Sequence, residues 1–420
     1  MLLKGTKMKK DEENKQRKLS RREFLEGTIF GALGIGIGVT STPETLVVKE
    51  EKEPDDEKKE KEPHIKEYRK LGRTGWKVSD ISFGNAMMKD PSLLEYAMER
   101  GINYVDTARQ YFDMEVVIGK LFPAKRDKLF VTTKLMPELV TPTVSEEKII
   151  QGIEESLKCL NTDYIDCVLI HSVGDPTLGD RTRIENQNIY SAFEKAREQG
   201  KIRFWGASSH GPKMIEDFTW LIENTEIDMI MPGMNFMTRG IEPVLKKARQ
   251  KGIAIVAMKS LSAARKINYK PYMKEGDTVR QAVLKWMLAQ PNIDTIAISM
   301  RSLEMIDEYV AVSGSRSLSK EEEKLLQGYG KLLNSDYCRP GCSSCLGKCP
   351  FDVPIHDILR YKLYFENYGL EKYAITLYSK LPDNKKAVIC HACSAHCEGS
   401  CPYNLSIKNK LIEAHSELIV

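Results

Sequence analysis

The chain has 420 residues, which is enough for two or three domains. Its 63 lysine and arginine residues and 59 aspartate and glutamate residues leave a net charge of only +4. No basic stripe carries interleaved aromatic side chains, so the composition argues against a nucleic-acid partner. Ten cysteines are present, and only Cys159 and Cys167 precede residue 338. The crowding of the others indicates a local module that is cross-linked or binds metal.

Residues 1–45 have the layout of an export signal. A lysine-rich leader is followed by Ser20-Arg21-Arg22 and then by a glycine-rich apolar run at residues 28–39. The run is shorter than the ~20 apolar residues of a standard transmembrane span, and paired arginines before it are typical of the twin-arginine route. We expect the twin-arginine machinery to export the protein to the periplasm or the outer face of the membrane. Without an A-x-A-like cleavage site the signal can stay as an anchor; if it is not used, the protein is cytoplasmic.

Residues 46–65 predict a charged, disordered linker. The stretch KEEKEPDDEKKEKEPH, at residues 49–64, mixes charges of both signs with two prolines and contains no large apolar side chain. Such a segment cannot bury enough surface to fold and should act as an extended tether.

Residues 66–330 predict a (β/α)8 TIM barrel, which is an α/β fold. Short apolar runs rich in β-branched residues alternate there with amphipathic segments such as residues 145–160, where the apolar side chains have helical spacing. The predicted strands begin at Ile81, Asn103, Leu129, Tyr164, Ile202, Met229, Ala254 and Thr295. Eight strands with intervening helices fit the barrel. A doubly wound sheet is a weaker alternative, because no G-x-G-x-x-G follows the first strand.

Ionisable side chains follow three neighbouring strands of the predicted barrel. Asp106 ends the second strand, with Tyr111 five residues further on; Lys134 ends the third, and His171 ends the fourth. Each residue alone has an ordinary structural explanation, such as a helix cap or a solvated side chain. Because a barrel of this type has its chemistry at the carboxyl ends of its strands, the four together predict one site.

Four segments of this region resemble the aldo-keto reductase family: YRKLGRTGWKVSDISFGN, GINYVDTARQY, VTTKL and LIHS. The resemblance covers about residues 68–312 and implies that the four residues form the family's catalytic tetrad. Tyr111 would give a proton to a carbonyl oxygen, or take one in the oxidative direction, and Lys134 would lower the tyrosine's pKa from about 10. Asp106 would hold Lys134, and His171 would direct the substrate oxygen.

The same resemblance implies an NADP(H) site, but only part of the family pattern is present. Ser208 matches a residue that holds the nicotinamide amide, and Arg301 and Glu308 match residues after the eighth strand. Arg301 would bind a nucleotide phosphate at a helix N-terminus, although a solvated surface arginine is the alternative. Three other positions carry residues unlike the family's, namely 209, 231 and 309.

Residues 331–420 contain two runs of four cysteines, each with a proline after the last thiol. The first run holds Cys338, Cys342, Cys345 and Cys349, and the second holds Cys390, Cys393, Cys397 and Cys401. Both resemble the bacterial ferredoxin run C-x2-C-x2-C-x3-C-P, with one spacing lengthened. The resemblance implies two [4Fe–4S] clusters in a small, mainly helical, ferredoxin-like domain, with Cys349 and Cys401 each serving the other run's cluster.

Two other interpretations of these cysteines stay open. Zinc sites often contain C-x2-C pairs, and His391 and His396 lie nearby. Disulfides are common in exported proteins, but neither zinc nor disulfides explain the repeated C-P ending. The chain as a whole resembles barrel reductases that carry a carboxy-terminal iron–sulfur module.

These features predict an exported oxidoreductase for a small-molecule carbonyl or alcohol, in which the two clusters carry electrons to or from a redox partner in the cell envelope. The twin-arginine route fits this function, because clusters need reduced thiolates and must be built before export. The alternative is a non-enzymatic electron-transfer protein that uses its barrel as a docking scaffold. A third interpretation makes the clusters purely structural.

Overall fold

A computed structural model describes residues 62–84, 88–262 and 278–419, all within one compact unit. The predicted export signal at 1–45 and most of the predicted linker at 46–65 lie outside the described residues. Within the part of the chain that is described, no helix has the length and apolar character needed to cross a membrane.

The eight predicted runs form a closed barrel of parallel strands, which confirms the expected fold. The described residues form ten strands: β1 Tyr68–Lys70, β2 Lys77–Ser79, β3 Ile81–Gly84, β4 Tyr104–Asp106, β5 Phe130–Lys134, β6 Ile165–Ile170, β7 Ile202–Ser209, β8 Met229–Pro232, β9 Ala254–Ala257 and β10 Thr295–Ile298. Strands β3 to β10 pair in chain order, and β10 closes the barrel against β3.

The antiparallel pair β1–β2 closes the amino end of the barrel. Leu71 and Val78 are fully buried in the interior cluster, beside Tyr104 and Phe130. The turn approaches so closely at Gly72, where φ is +48°, that a Cβ there would lie 2.3 Å from the Ala254 nitrogen. In barrels of this type the chemistry lies at the opposite end, where the strands have their carboxyl ends.

Amphipathic helices surround the barrel. In residues 145–160, Ser145 caps the helix, and Ile149, Ile153, Leu157 and Leu160 bury one face, as their spacing predicts. The described residues form thirteen α-helices: α1 Ser92–Glu99, α2 Met114–Gly119, α3 Glu146–Leu160, α4 Thr182–Glu185, α5 Gln187–Glu198, α6 Met214–Asn224, α7 Glu242–Gln250, α8 Val279–Leu288, α9 Leu303–Val310, α10 Lys320–Leu333, α11 Ile355–Tyr368, α12 Glu371–Ser379 and α13 Ile407–Leu418.

The carboxy-terminal part of the chain builds a second hydrophobic core. Buried side chains of α11, α12 and α13, among them Ile358, Tyr378 and Leu411, pack together with the cysteines of both runs. Short 3-10 turns connect them at residues 383–385, 387–391 and 398–400. Helix α10 crosses the boundary between residues 330 and 331 that the sequence suggested.

Candidate functional site

A buried ion pair lies at the carboxyl ends of β4 and β5. The ammonium of Lys134 donates to Asp106 Oδ1 at 2.6 Å and to the carbonyl oxygen of Thr107, also at 2.6 Å. The Lys134 side chain has no exposed surface, and that of Asp106 is 10% exposed. Both groups sit at neighbouring strand ends, because β4 and β5 pair in parallel with Asp106 beside Thr132. The lysine charge is therefore held in one position.

Tyr111 and His171 complete the group that the sequence predicted. The ring centre of Tyr111 lies 5.1 Å from Lys134 Nζ. The same ring makes an edge contact with the His171 ring, with 5.8 Å between the ring centres. The structure thus brings all four predicted residues together at the mouth of the barrel.

The backbone adopts uncommon conformations beside these side chains. Phe112, Ser172 and Lys259 have φ values of +50°, +54° and +60°, in the left-handed region that residues with a side chain rarely adopt. Phe112 follows Tyr111, Ser172 follows His171, and Lys259 lies two residues beyond β9. Such outliers cluster at functional sites, where the surrounding structure holds them.

Burial governs the protonation of the tyrosine and the histidine. It raises the pKa of Tyr111 well above its usual value, and the negative charge of Asp106 adds to this effect. It lowers the pKa of His171 well below its usual value, and the ammonium groups of Lys134 and Lys259 add to this effect. The site therefore holds a protonated phenol next to a neutral imidazole.

The ion pair is kept charged by mutual attraction against the cost of burial. Burial raises the pKa of Asp106 and lowers that of Lys134, while the attraction between the two groups opposes both shifts. The positive charge of Lys259 lowers the pKa of Lys134 further.

Sequence reasoning did not single out Lys259. Its ammonium lies 3.4 Å from Tyr364 Oη and 4.7 Å from the centre of the same ring. Its position just after the seventh barrel strand was a usable signal, since the same rule identified Asp106, Lys134 and His171.

Two buried serine hydroxyls lie in or just after the carboxyl halves of barrel strands, and one of them, Ser208, is the residue that the resemblance assigns to the nicotinamide amide. Ser208 Oγ and Ser260 Oγ are buried and have no hydrogen-bond partner among the described residues. A buried hydroxyl without a partner is costly, so both are suited to a ligand. Ser209 is already committed, because its Oγ donates to the Val173 carbonyl and accepts from Gly211 N. Met231 is buried in the barrel interior.

The other predicted nucleotide contacts lie after β10. Arg280 Nε donates one bifurcated hydrogen bond to the two carboxylate oxygens of Glu308, at 3.0 and 3.1 Å, so this carboxylate already has a protein partner. Arg301 is exposed just before α9. A Cβ at Gly369, at the end of α11, would lie 3.8 Å from Arg301 Nη1.

Helix α11 lies across the mouth of the barrel. Arg360 Nη2 donates to Asp175 Oδ2 at 3.0 Å and pairs with Asp357 Oδ1 at 2.6 Å. Arg360 Nη1 lies 3.3 Å from His210 Nδ1. Asp175 and His210 belong to the loops after β6 and β7, so this buried arginine joins the carboxy-terminal core to the barrel.

A cavity of about 240 Å³ lies between α11 and the barrel mouth. His210 and Lys259 line it from the barrel, Arg360 and Tyr364 from α11, and Cys338 from the chain after α10. Close to the tetrad, the rings of Phe112 and Tyr373 also make contact, at 6.4 Å between centres. None of the four tetrad residues lines this cavity, so the carboxy-terminal region lies beside the tetrad and shares the cavity with Lys259.

The eight clustered cysteines are free thiols and fall into two groups in space. Burial raises the pKa of Cys338. The neighbouring thiols of Cys345, Cys342 and Cys401 raise this pKa further. We name these four the first thiol set. Burial raises the pKa of Cys390 to about 11, with the thiols of Cys349, Cys397 and Cys393 as its neighbours. We name these four the second thiol set.

The second thiol set lines a small enclosed cavity of its own. Cys349 and Cys401 thus each join three cysteines of the other run. Among the residues described, no three histidine, cysteine or acidic side chains converge closely enough to hold a single metal ion. A four-iron cluster is larger than one ion and needs its thiolates further apart.

The fold and the grouped tetrad define an oxidoreductase of the barrel class. A sequence model described as "Aldo/keto reductase family" matches residues 75–270. The uncharacterized oxidoreductase YqkF of Bacillus subtilis is 27% identical over 63% of this chain and 96% of its own length. The methylglyoxal reductase YeaE of Escherichia coli is 29% identical over 41% of this chain and 57% of its own. The barrel of this chain is therefore similar to those of the aldo/keto reductase family.

A solved structure supports the same fold. The aldo-keto reductase from Klebsiella pneumoniae in complex with NADPH is 24% identical, with a TM-score of 0.51. The alignment covers 64% of this chain and 95% of that protein. At this identity the likeness supports the barrel fold only.

Proposed function

We propose that the protein is an exported oxidoreductase that interconverts the carbonyl and alcohol forms of a small molecule, with two [4Fe–4S] clusters that carry electrons. The observation that carries the proposal is the convergence of a protonated tyrosine, a buried lysine and a neutral histidine at the barrel mouth. The relative named methylglyoxal reductase supports a small carbonyl compound as substrate.

The tetrad supplies the proton chemistry of this reaction. Reducing a carbonyl to an alcohol takes two electrons and two protons, and one proton must reach the oxygen. Tyr111 stays protonated at neutral pH and can donate there, while Lys134, 5.1 Å from the ring, stabilises the phenolate that forms. The neutral His171 can hydrogen-bond to the same oxygen and direct it. In the oxidative direction Tyr111 takes the proton back.

We also propose that the barrel holds NADP(H), which would supply or accept the hydride at carbon. Ser208 Oγ and Ser260 Oγ, buried without partners among the described residues, support this assignment. Arg301, just before α9, would bind a phosphate of the nucleotide. Glu308 would contact the nucleotide while it remains paired with Arg280.

The two thiol sets would hold the clusters, which transfer one electron each. The donor chemistry fits, because each set offers four thiols and the sets cross between the two cysteine runs as in two-cluster ferredoxins. Zinc is the weaker interpretation, because zinc sites do not call for the proline that follows the last cysteine of each run.

Export through the twin-arginine machinery would place the enzyme in the cell envelope. Free nicotinamide is a cytoplasmic pool, so we propose that a one-electron donor protein of the envelope supplies the electrons and that solvent supplies the protons. Bound NADP(H) would then stay in the protein and would not exchange at each turnover.

The test compares two electron sources for one carbonyl substrate. Anaerobically purified, cluster-loaded protein and its Cys345→Ser variant are assayed with methylglyoxal, using either NADPH or a reduced viologen dye. We expect the dye to drive turnover in the native protein only, with slight activity from NADPH in both. Brisk NADPH-driven turnover that is unaffected by Cys345→Ser would instead show an ordinary reductase with a structural metal module.

One observation favours the alternative of a non-enzymatic electron-transfer protein. Helix α11 covers the barrel mouth, and its end packs beside Arg301, where a nucleotide would bind. If equilibrium dialysis detects no bound NADPH or NADP+, and no carbonyl compound is reduced with either donor, this alternative is supported.

A further inference from the structure

We propose that the first thiol set holds the cluster nearer the barrel site and that the second holds the cluster nearer the outer surface. This assignment rests on the proposed function, because it requires that both sets bind clusters. It says which of the two sets lies closer to the barrel, and the spacing of the cysteines in the sequence does not give that information.

Tyr337, the residue before Cys338, is held to the barrel by hydrogen bonds. Tyr337 Oη accepts a hydrogen bond from Asn235 Nδ2 at 3.0 Å and lies 2.6 Å from Ser262 Oγ. Asn235 and Ser262 belong to the chain after β8 and after β9. Cys338 therefore lies at the barrel mouth, and it lines the cavity that His210 and Lys259 also line.

A second contact holds the same set against the barrel. Gly341, which precedes Cys342, has a φ of +74°, and a Cβ there would lie 2.9 Å from Met214 Cε, at the start of α6. A side chain at this position would push the segment away from the barrel. The first thiol set is thus packed against the barrel on two sides.

The second thiol set has no comparable barrel contact among the described residues. The cavity that its four cysteines line is bounded only by residues between 349 and 411. Two large apolar side chains adjacent to this set in sequence are exposed, Phe351 at 41% and Val388 at 50%. This set therefore lies on the side of the carboxy-terminal core away from the barrel, although Cys390 and Cys397 are themselves buried.

The two sets come close to each other at one place. The thiol of Cys345 interacts electrostatically with that of Cys397 in the second set, as well as with those of Cys342 and Cys401 in its own. The first thiol set therefore lies between the second set and the barrel cavity, which Cys338 lines.

A matched pair of charge substitutions tests this order. Lys259 lines the barrel cavity together with Cys338, whereas Lys408 donates to the Cys393 carbonyl at 2.7 Å. Removing a nearby positive charge lowers a cluster's reduction potential. We therefore expect Lys259→Gln to lower the midpoint potential of the first set's cluster alone, and Lys408→Gln that of the second set's cluster alone.

The measurement is a redox titration of the full-length, cluster-loaded protein followed by electron paramagnetic resonance. Cys342→Ser and Cys393→Ser each alter one spectrum and so assign it to a thiol set. If Lys259→Gln shifts the midpoint potential of the second set's cluster, or shifts both potentials equally, the proposed order is wrong. The presence of two clusters is not contradicted by that result. A protein that takes up no iron and sulfide overturns the cluster part of the proposed function as well as the order.

Discussion

The ammonium of Lys134 and the carboxylate of Asp106 lie 2.6 Å apart where water scarcely reaches either group. Replacing only the lysine would leave a buried carboxylate without its counter-charge, which typically costs about 3–5 kcal/mol. We expect Lys134→Met to lower the free energy of unfolding by about that amount, measured by chemical denaturation at pH 7. The double variant Lys134→Met/Asp106→Asn should recover part of the loss. Equal losses in the single and double variants would show that the pair is not coupled.

Tyr111 is expected to be the proton donor. Because general acid catalysis by a positioned side chain contributes about 10²–10⁴-fold, Tyr111→Phe should lower kcat for carbonyl reduction by about that factor. Tyr68→Phe is the matched control, since Tyr68 Oη donates to the Gly101 carbonyl at 2.7 Å, near the amino end of the barrel. It should keep full activity. Full activity in Tyr111→Phe, with unchanged iron content, would mean that the family mechanism does not apply.

The buried imidazole of His171 predicts a loss of stability in acid. Its pKa lies well below the usual value of about 6.5. As the pH falls below 6.5, the unfolded chain therefore takes up a proton that the folded chain does not. The contribution of the neutral His171 to stability is complete above pH 6.5 and is lost below it. The free energy of unfolding then falls by up to about 1.4 kcal/mol per pH unit. Denaturation midpoints between pH 7.5 and 5 should show a shallower slope for His171→Gln. Identical slopes would indicate that His171 titrates normally in the folded protein.

The thiol sets predict the metal content. Anaerobic purification should yield about eight iron and eight sulfide per chain, the content of two [4Fe–4S] clusters. Elemental analysis and acid-labile sulfide assays check this, with Cys159→Ser as the control that should lose none, because Cys159 lies outside both sets. Stoichiometric zinc without sulfide would contradict the prediction.

The paired arginines predict the cellular location. Replacing both Arg21 and Arg22 by lysine should keep the protein in the cytoplasm, because the twin-arginine machinery reads this pair. Cell fractionation followed by immunoblotting measures the distribution. Lys9→Ala/Lys10→Ala is the matched control, since it alters the basic leader but leaves the pair, and it should be exported like the native chain. A native chain found only in the cytoplasm would refute export.

Much of the barrel could be predicted from sequence alone. Each of its eight strands is a local run of apolar, β-branched residues, and each such run was found as a barrel strand. The grouping of Asp106, Tyr111, Lys134 and His171 also followed, because parallel strands bring their carboxyl ends to one face whatever the details of packing. Lys259 follows the same rule, and its position after the seventh barrel strand would have allowed the same prediction.

Other features depend on contacts between distant parts of the chain. Arg360 meets Asp175 and His210 across 185 and 150 residues of sequence, and no local pattern in either segment specifies the other. The crossing of Cys349 and Cys401 was implied by resemblance, but their position relative to the barrel depends on how Tyr337 and Gly341 pack there.

Local pattern determined the strands, the helices and the face on which the site lies, because hydrophobic periodicity acts over a few residues. The packing of α11 against the barrel mouth was decided only in the tertiary structure, because it depends on the shape and charge complementarity of two surfaces that are distant in the chain.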